Sequence, residues 1–312
     1  MNESYGITAT TAELVRLRGP SAGPALAPRG RVRTTEAGHY ASAFRGRGME
    51  FEESRIYQPG DDVRTIDWRV SARTGRVHTK LFHEERERPV LLLLDERPHM
   101  QFGTRDAFKS VLAARAAATL AWTARDGGDR VGAMILTGAG HLEVPPRRSE
   151  ARLVHLLRLI GDSTAERRAD RTPTLAEGIA RLVRVSRPGT FVFVVSDFQD
   201  LDDEVERQLG RLAQRAEVGA ILVYDEIEAH APLGDGLRVS DGANVLRLET
   251  RDRQWCAEWQ ARFATRRERL ERLCRRRGIG LLSLGTGESC QGLRADRLAA
   301  ALRVPTATRG HA

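Results

Sequence analysis

From residue 89 onward, short apolar runs alternate with longer stretches in which apolar residues return every three or four positions. The runs VLLLLD after Pro89, RVGAMILTG, FVFVVSDF and GAILVYD have too few polar positions for a half-exposed strand, so they read as strands covered on both faces. Between them FKSVLAARAAATLAWTAR, SEARLVHLLRLIG, TLAEGIARLVRVS and DEVERQLGRLAQRAE carry a helical period. Strands alternating with amphipathic helices predict an α/β domain, a doubly wound and mostly parallel Rossmann-type sheet. Further on, LRVSDGANVLRLET has a DG turn between alternating residues and predicts a hairpin at one edge of that sheet. A helix follows over 251–277, then a last strand over 279–284 and a closing helix around 295–302.

Ahead of residue 89 the pattern differs. Residues 1–44, with the Gly/Pro/Ala-rich GPSAGPALAPRGR, predict a short helix and an extended linker. Residues 45–88 are rich in turn signals, and Val77, Thr79 and Leu81 share the parity of a half-buried strand. Pro59 and Gly60 have the chemistry of a turn between extended segments. The chain is therefore divided into an N-terminal segment (1–44), a small β-rich subdomain (45–88), the α/β domain (89–304) and a tail (305–312).

Charge changes the picture less than its size suggests. The chain of 312 residues has a formal net charge of +8, which invites a nucleic-acid partner. Yet Lys80 and Lys109 are its only lysines, and arginine beside abundant alanine and glycine points to a compositional bias. In the strongly basic 251–277 stretch, Trp255, Trp259, Phe263, Leu270 and Leu273 fall at mostly helical spacing, which leaves the arginines on a solvated face. Nucleic acid is thus the weaker expectation. Three cysteines, Cys256, Cys274 and Cys290, form no CxxC pair and suit reduced thiols. The start of the chain lacks the features of a secretory signal, and the longest aliphatic run is far short of a membrane span. A cytoplasmic protein is expected.

In a doubly wound sheet the ligand crevice lies beyond the carboxyl ends of the strands. Two strands end in aspartate there, Asp95 and Asp197. A carboxylate so placed either binds something or caps the next segment, and each reading stands. Enzyme signatures are missing: GTRDAFKS ends like a P-loop in Lys109 and Ser110, but Phe108 replaces the glycine that lets backbone approach phosphate. No GxGxxG after a strand, GxSxG or HExxH occurs.

The run GRGMEFEESRIYQPGDDVRTIDWRVSARTGRVHTKLFHEERERPVLLLLD (46–95) resembles the hallmark segment of the domain-of-unknown-function 58 (DUF58) family, which joins this motif to a von Willebrand factor A-like domain. The resemblance implies a bacterial protein, cytosolic or membrane-associated, of a family with no established enzymatic activity, that acts beside MoxR-type AAA+ ATPases, with other von Willebrand A-domain proteins as further expected partners. Many relatives carry a transmembrane pair ahead of the motif, and none is expected in this copy. Von Willebrand A-like domains often hold a divalent cation through DxSxS, a threonine and a second aspartate. Here Asp95 matches, Arg97 and His99 replace the serines, Thr174 resembles the threonine and Asp197 the second aspartate. Asp95, His99, Thr174 and Asp197 are thus the candidate ligands of a degenerate site. Arginine cannot ligate and repels Mg2+, and imidazole prefers zinc, copper or nickel. Mg2+ is disfavoured, and Arg97 is expected to pair with Asp95 or Asp197 in its place.

The segment RIYQPGDDVRTIDWRVSAR (55–73) concentrates charge. Its arginines, Arg55, Arg64, Arg69 and Arg73, either neutralise Asp61, Asp62 and Asp67 across a compact hairpin with Tyr57, Ile66 and Trp68 as its apolar contacts, or present a docking face anchored by Trp68 or Tyr57. Arg97 at the sheet mouth joins the candidate partner-binding set. The expected function is a protein-interaction module, an adaptor of a MoxR-type ATPase. The alternatives are a metal-dependent hydrolase using Asp95, His99 and Asp197, and an arginine-rich nucleic-acid binder.

Overall fold

The computed structural model describes residues 6–18, 49–58, 63–84, 87–167, 169–230, 237–240, 245–248 and 252–287. Two units emerge, Arg31–Glu87 and the rest of the chain.

The N-terminal helix α1 (Thr11–Arg16) is capped by the Thr10 hydroxyl, and it belongs to the larger unit. Its buried Leu14 offers a backbone carbonyl to Trp122 Nε1 at 3.2 Å. The smaller unit consists of strand β1 (Met49–Ile56), helix α2 (Trp68–Thr74) and strand β2 (His78–Glu84). β1 and β2 pair antiparallel from Met49↔Glu84 to Ile56↔His78. Between them lie a 3-10 turn (Val63–Thr65) and α2, so the motif is a helix-bearing connection between strands instead of the simple hairpin expected from the sequence. The Pro59–Gly60 turn, with Asp61 and Asp62, lies outside the described residues.

The larger unit is built on a six-stranded sheet. Its elements run β3 (Pro89–Glu96), α3 (Lys109–Asp126), β4 (Arg130–Thr137), β5 (Gly140–Arg147), α4 (Glu150–Thr164), α5 (Leu175–Val185) and β6 (Phe191–Ser196). They continue with α6 (Asp203–Ala213), β7 (Glu217–Tyr224), α7 (Glu226–Ala229), β8 (Leu237–Ser240), β9 (Val245–Leu248), α8 (Arg253–Arg277) and β10 (Gly280–Gly285). The strand order is β10-β7-β6-β3-β4-β5, all parallel except β5. The fold is thus the α/β, mostly parallel, doubly wound arrangement the pattern predicts.

Strand alternation sorts the core. Leu92 and Leu94 pack with α1, α3 and α4 on one face, and Leu91 and Leu93 with α5, α6 and α8 on the other. α3 is alanine-rich and buried along most of its length, which lets it lie close over the sheet. On the opposite face Gly178 of α5 sits against Leu136 and Leu93, where an added Cβ would approach their methyls to 2.9–3.0 Å.

Two features differ from the sequence expectation. β5 carries no recognisable strand pattern, because GHLEVPPR is polar and holds two prolines; it survives as an edge strand with one partner and a register shift opposite Val131 and Ala133. β8 and β9 do form an antiparallel pair, but as a separate two-stranded sheet and not at an edge of the large one. The helix expected around 295–302, the 305–312 tail and Cys290 lie outside the described residues. Cys256 and Cys274 are buried and joined in no disulfide among the described residues, and burial pushes the Cys274 thiol up to about 12.

Candidate functional site: a closed ionic chain at the sheet mouth

The order of the sheet fixes where the site falls. From β3 the chain first moves outward through β4 and β5, then returns to the other side of β3 with β6. The switch point therefore lies between the carboxyl ends of β3 and β6. Asp95 and Asp197 stand there, each fully buried.

Beside Asp95, the chain turns back on itself within two residues. The Arg97 amide and Nε donate to Asp95 Oδ1 at 3.2 and 2.8 Å, and Nη2 donates to Oδ2 at 2.7 Å. The Ser196 hydroxyl donates to Oδ2 at 2.6 Å. The far edge of the same guanidinium holds Asp200: Nη1 donates to Oδ2 at 2.7 Å and Nη2 to Oδ1 at 3.1 Å. Asp200 also accepts from the Leu175 amide at 3.2 Å, while Nη1 lies 3.4 Å from the Pro173 carbonyl. One buried arginine thus ties the end of β3 to the loop entering α5 and the loop leaving β6. Such planar, two-sided recognition suits guanidinium and no other side chain.

Asp197 is satisfied by a different cation. Lys109, the first residue of α3 and wholly buried, donates through Nζ to Asp197 Oδ2 at 2.7 Å and to Glu228 Oε1 at 2.9 Å. Asp197 Oδ1 accepts the Gln199 amide at 3.1 Å. The next residue, Phe198, is the only non-glycine with positive φ (51°) among the described residues, and it is fully buried. A left-handed conformation costs energy and persists where surroundings over-determine it. Here it accompanies the tight turn at the end of β6.

His99 bridges the two halves. Its Nε2 lies 3.5 Å from Asp95 Oδ2 and 3.3 Å from Asp197 Oδ1, within ion-pairing distance of both but aligned for a hydrogen bond with neither. Burial opposes the imidazolium, yet the two carboxylates outweigh it and raise the His99 pKa to about 9. The groups therefore alternate in sign along the mouth: Asp200, Arg97, Asp95, His99, Asp197, Lys109, Glu228. Burial alone would raise the Asp95 and Asp197 carboxyls, but Arg97 and His99 for the first, and His99 and Lys109 for the second, hold both below the usual carboxylate range. Burial likewise works against the Arg97 and Lys109 cations, and their carboxylate partners raise both.

Glu96 has the parity of Leu92 and Leu94 and is fully buried. Neither of its oxygens has a hydrogen-bond partner among the described residues. Burial, with the Asp95 charge adjoining, drives its pKa well up.

Of the residues singled out from sequence, the structure gathers Asp95, Arg97, His99 and Asp197. Arg97 meets Asp95 as expected, but its second partner is Asp200 and not Asp197, whose free oxygen edge is already turned to Lys109. Thr174 stands next to Pro173 as the N-cap of α5: its hydroxyl accepts the Glu177 amide at 3.1 Å, and Glu177 accepts the Thr174 amide in return. Lys109, Asp200, Ser196 and Glu228 escape sequence reasoning. Lys109 had a signal, as one of two lysines in an arginine-rich chain placed at the head of an otherwise apolar helix.

These donors do not fit Mg2+. Both oxygens of Asp95 accept from Arg97, Asp197 is held by an ammonium, and the Thr174 hydroxyl serves a helix cap. A hard cation needs several uncommitted oxygens, and here it would meet fixed positive charge.

In the smaller unit, Asp67 caps α2, accepting from the Arg69 and Val70 amides at 3.1 Å each and from Ser54 Oγ at 3.1 Å. Trp68 is 71% exposed, so it is not the apolar centre of a hairpin; Tyr57 and Ile66 are half-buried. Arg64 and Arg73 are exposed and Arg55 half-buried.

Fold and site together define an α/β protein whose switch-point crevice is filled by its own alternating charges. The chain belongs to the family described as Protein of unknown function DUF58, whose model matches residues 53–269. It is 34% identical over 253 residues to the uncharacterized protein Rv1480 of Mycobacterium tuberculosis and to Mb1516 of Mycobacterium bovis, covering 80% of this chain and 78% of each relative. Among solved structures it overlays on the conserved hypothetical protein BatB of Bacteroides thetaiotaomicron, at 14% identity and TM-score 0.38, covering 69% of this chain and 96% of that one. An aerotolerance-related membrane protein of Bacteroides fragilis, bearing multiple mutations to serines, matches at 13% identity with the same TM-score and coverage. Among the described residues no helix is long and apolar enough to cross a membrane.

Proposed function

We propose that this chain is a non-enzymatic protein-interaction module that binds no divalent cation at the sheet mouth and serves as an adaptor of a MoxR-type AAA+ ATPase. The observation that carries the non-enzymatic reading is the seven-group chain from Asp200 to Glu228. Every carboxylate in it is committed to a cation of the protein itself, and every cation to a carboxylate. A general base or nucleophile needs an uncommitted lone pair directed at a substrate, and a metal centre needs open ligands. The mouth is closed by its own ion pairs in their place. The choice of ATPase rests on the likeness of the 46–95 segment to the family motif.

The test has two arms. Calorimetric titration of Mg2+ into the protein is expected to give no saturable heat, whereas tight stoichiometric binding that disappears in Asp95→Ala would overturn the metal-free reading. A purified MoxR-type ATPase from the same host is expected to bind the full chain, and absence of binding in every nucleotide state would remove the adaptor role. One observation favours a second reading, a metal-dependent hydrolase: ligand atoms of Asp95, His99 and Asp197 lie within 4.8 Å of one another. That reading requires divalent-activated turnover abolished in Asp197→Ala. The nucleic-acid reading draws less support, since Arg269 of α8 is spent on Glu206 and Asp203 and Arg276 on Glu206.

A further inference from the structure

The large apolar side chains that stay exposed are unevenly placed. Ile56, Val63, Trp68 and Val77 make up half of those found among the described residues, and all four fall within the smaller unit. Trp68, the most exposed of them, opens α2. Arg69 and Arg73, one turn apart on the same helix, are both exposed, as is Arg76 just beyond its αL cap Gly75. None of these three arginines forms an ion pair among the described residues. The α2 segment contains no acid to answer them, and the carboxylate before it, Asp67, is buried as the helix cap. Counting Asp61 and Asp62, residues 54–79 still hold five arginines against three aspartates.

An exposed tryptophan costs solvation, and arginines in a row on one helix repel each other, so folding of this unit explains neither. Tryptophan and arginine together are the residues most enriched at the energetic centres of protein interfaces. Nucleic acid would also answer the arginines, but it offers phosphate and base faces and leaves aliphatic Ile56, Val63 and Val77 without a counterpart. A polypeptide carrying carboxylates among apolar residues answers both kinds of group.

From this complementarity we infer that the solvent face of α2 docks an acidic, partly apolar segment of a partner protein, with Trp68 as its anchor and Arg69 and Arg73 as its charge contacts. The inference rests on the interaction-module reading and adds the chemistry of the partner. It is tested with the full chain and three probes: a random copolymer of glutamate and tyrosine, polyglutamate, and oligothymidylate. Binding is followed by the indole NMR resonance of Trp68, assigned through Trp68→Phe. The copolymer is expected to shift that resonance saturably and to bind more tightly than polyglutamate. Trp68→Ala, and separately the double variant Arg69→Glu/Arg73→Glu, should each weaken it roughly tenfold or more, with unfolding midpoints unchanged. Copolymer binding indifferent to both variants, or no binding, overturns the assignment. So does tighter binding of oligothymidylate that is lost in the same variants, which gives the face to nucleic acid. Divalent-dependent turnover would sink the interaction-module reading while leaving Trp68-dependent copolymer binding standing; loss of that binding without turnover sinks only the docking face.

Discussion

The sheet mouth and the α2 surface both concentrate charge, and they treat it in opposite ways. At the mouth, Arg97 and Lys109 are buried and each meets two carboxylates. On α2, Arg69 and Arg73 reach into water beside an exposed tryptophan. Burial makes the first arrangement costly to disturb, because a charge stripped of its partner in a low-dielectric setting cannot be rescued by solvent. Exposure makes the second nearly free to disturb as far as folding goes. Concentrated charge can therefore mean structure in one place and availability in another, and burial decides which.

The sharpest way to break this contrast is Lys109→Met. Removing the ammonium leaves Glu228 without its cation and Asp197 with His99 alone, and the expected cost is about 3–5 kcal/mol, read from denaturant unfolding at neutral pH. Adding Asp197→Asn should restore part of that loss. If Lys109→Met costs no more than a surface substitution, the mouth is not a closed ionic unit.

His99 tests the same chain by pH. Its folded pKa, about 9, lies above the ordinary value of 6.5. The stabilisation is therefore fully present below about pH 6.5 and is lost as pH rises through 9. With 27% of the ring in water, roughly 2 kcal/mol should disappear across that window. His99→Gln should be less stable at pH 6 and nearly flat over the same range. A wild-type profile equally flat would mean that the imidazole is not charged between its two aspartates.

What could be read from the chain follows from how local each signal is. The four parallel strands that carry the crevice announce themselves because burial on both faces demands unbroken Leu, Val, Ile and Phe. The pairing of Arg97 at the mouth is legible in part, through the likeness to a cation site in which Arg97 stands where a serine would, though that likeness leaves Asp95 and Asp197 equally open as its partner. Asp200 and Lys109 are not, because Arg97 reaches Asp200 across 103 positions and Lys109 reaches Glu228 across 119. No periodicity encodes such pairings; the sheet order creates them. β5 fails for the opposite reason. An edge strand needs only one partner, so its sequence may be polar and keep Pro145 and Pro146.

In the smaller unit the effects shrink. Asp67→Ala removes the acceptor of two α2 amides and of the Ser54 hydroxyl, which should cost about 1–2 kcal/mol. Asp67→Asn, which can still cap, should cost less. Equal losses in the two variants would show that charge and not capping is what Asp67 supplies.

Trp68→Ala is the smallest expected change and the most telling. A tryptophan in a core contributes several kcal/mol, so its removal from the centre of a hairpin would unfold a unit as small as this one. Trp68 lies mostly in water, and its replacement should move stability by no more than about 0.5 kcal/mol in either direction. The same substitution should abolish most of the binding to a glutamate–tyrosine copolymer. Chemical denaturation and the binding assay, run on one preparation, separate the two roles: a large stability loss would return Trp68 to the structural side of the comparison, and with it the charges that surround it.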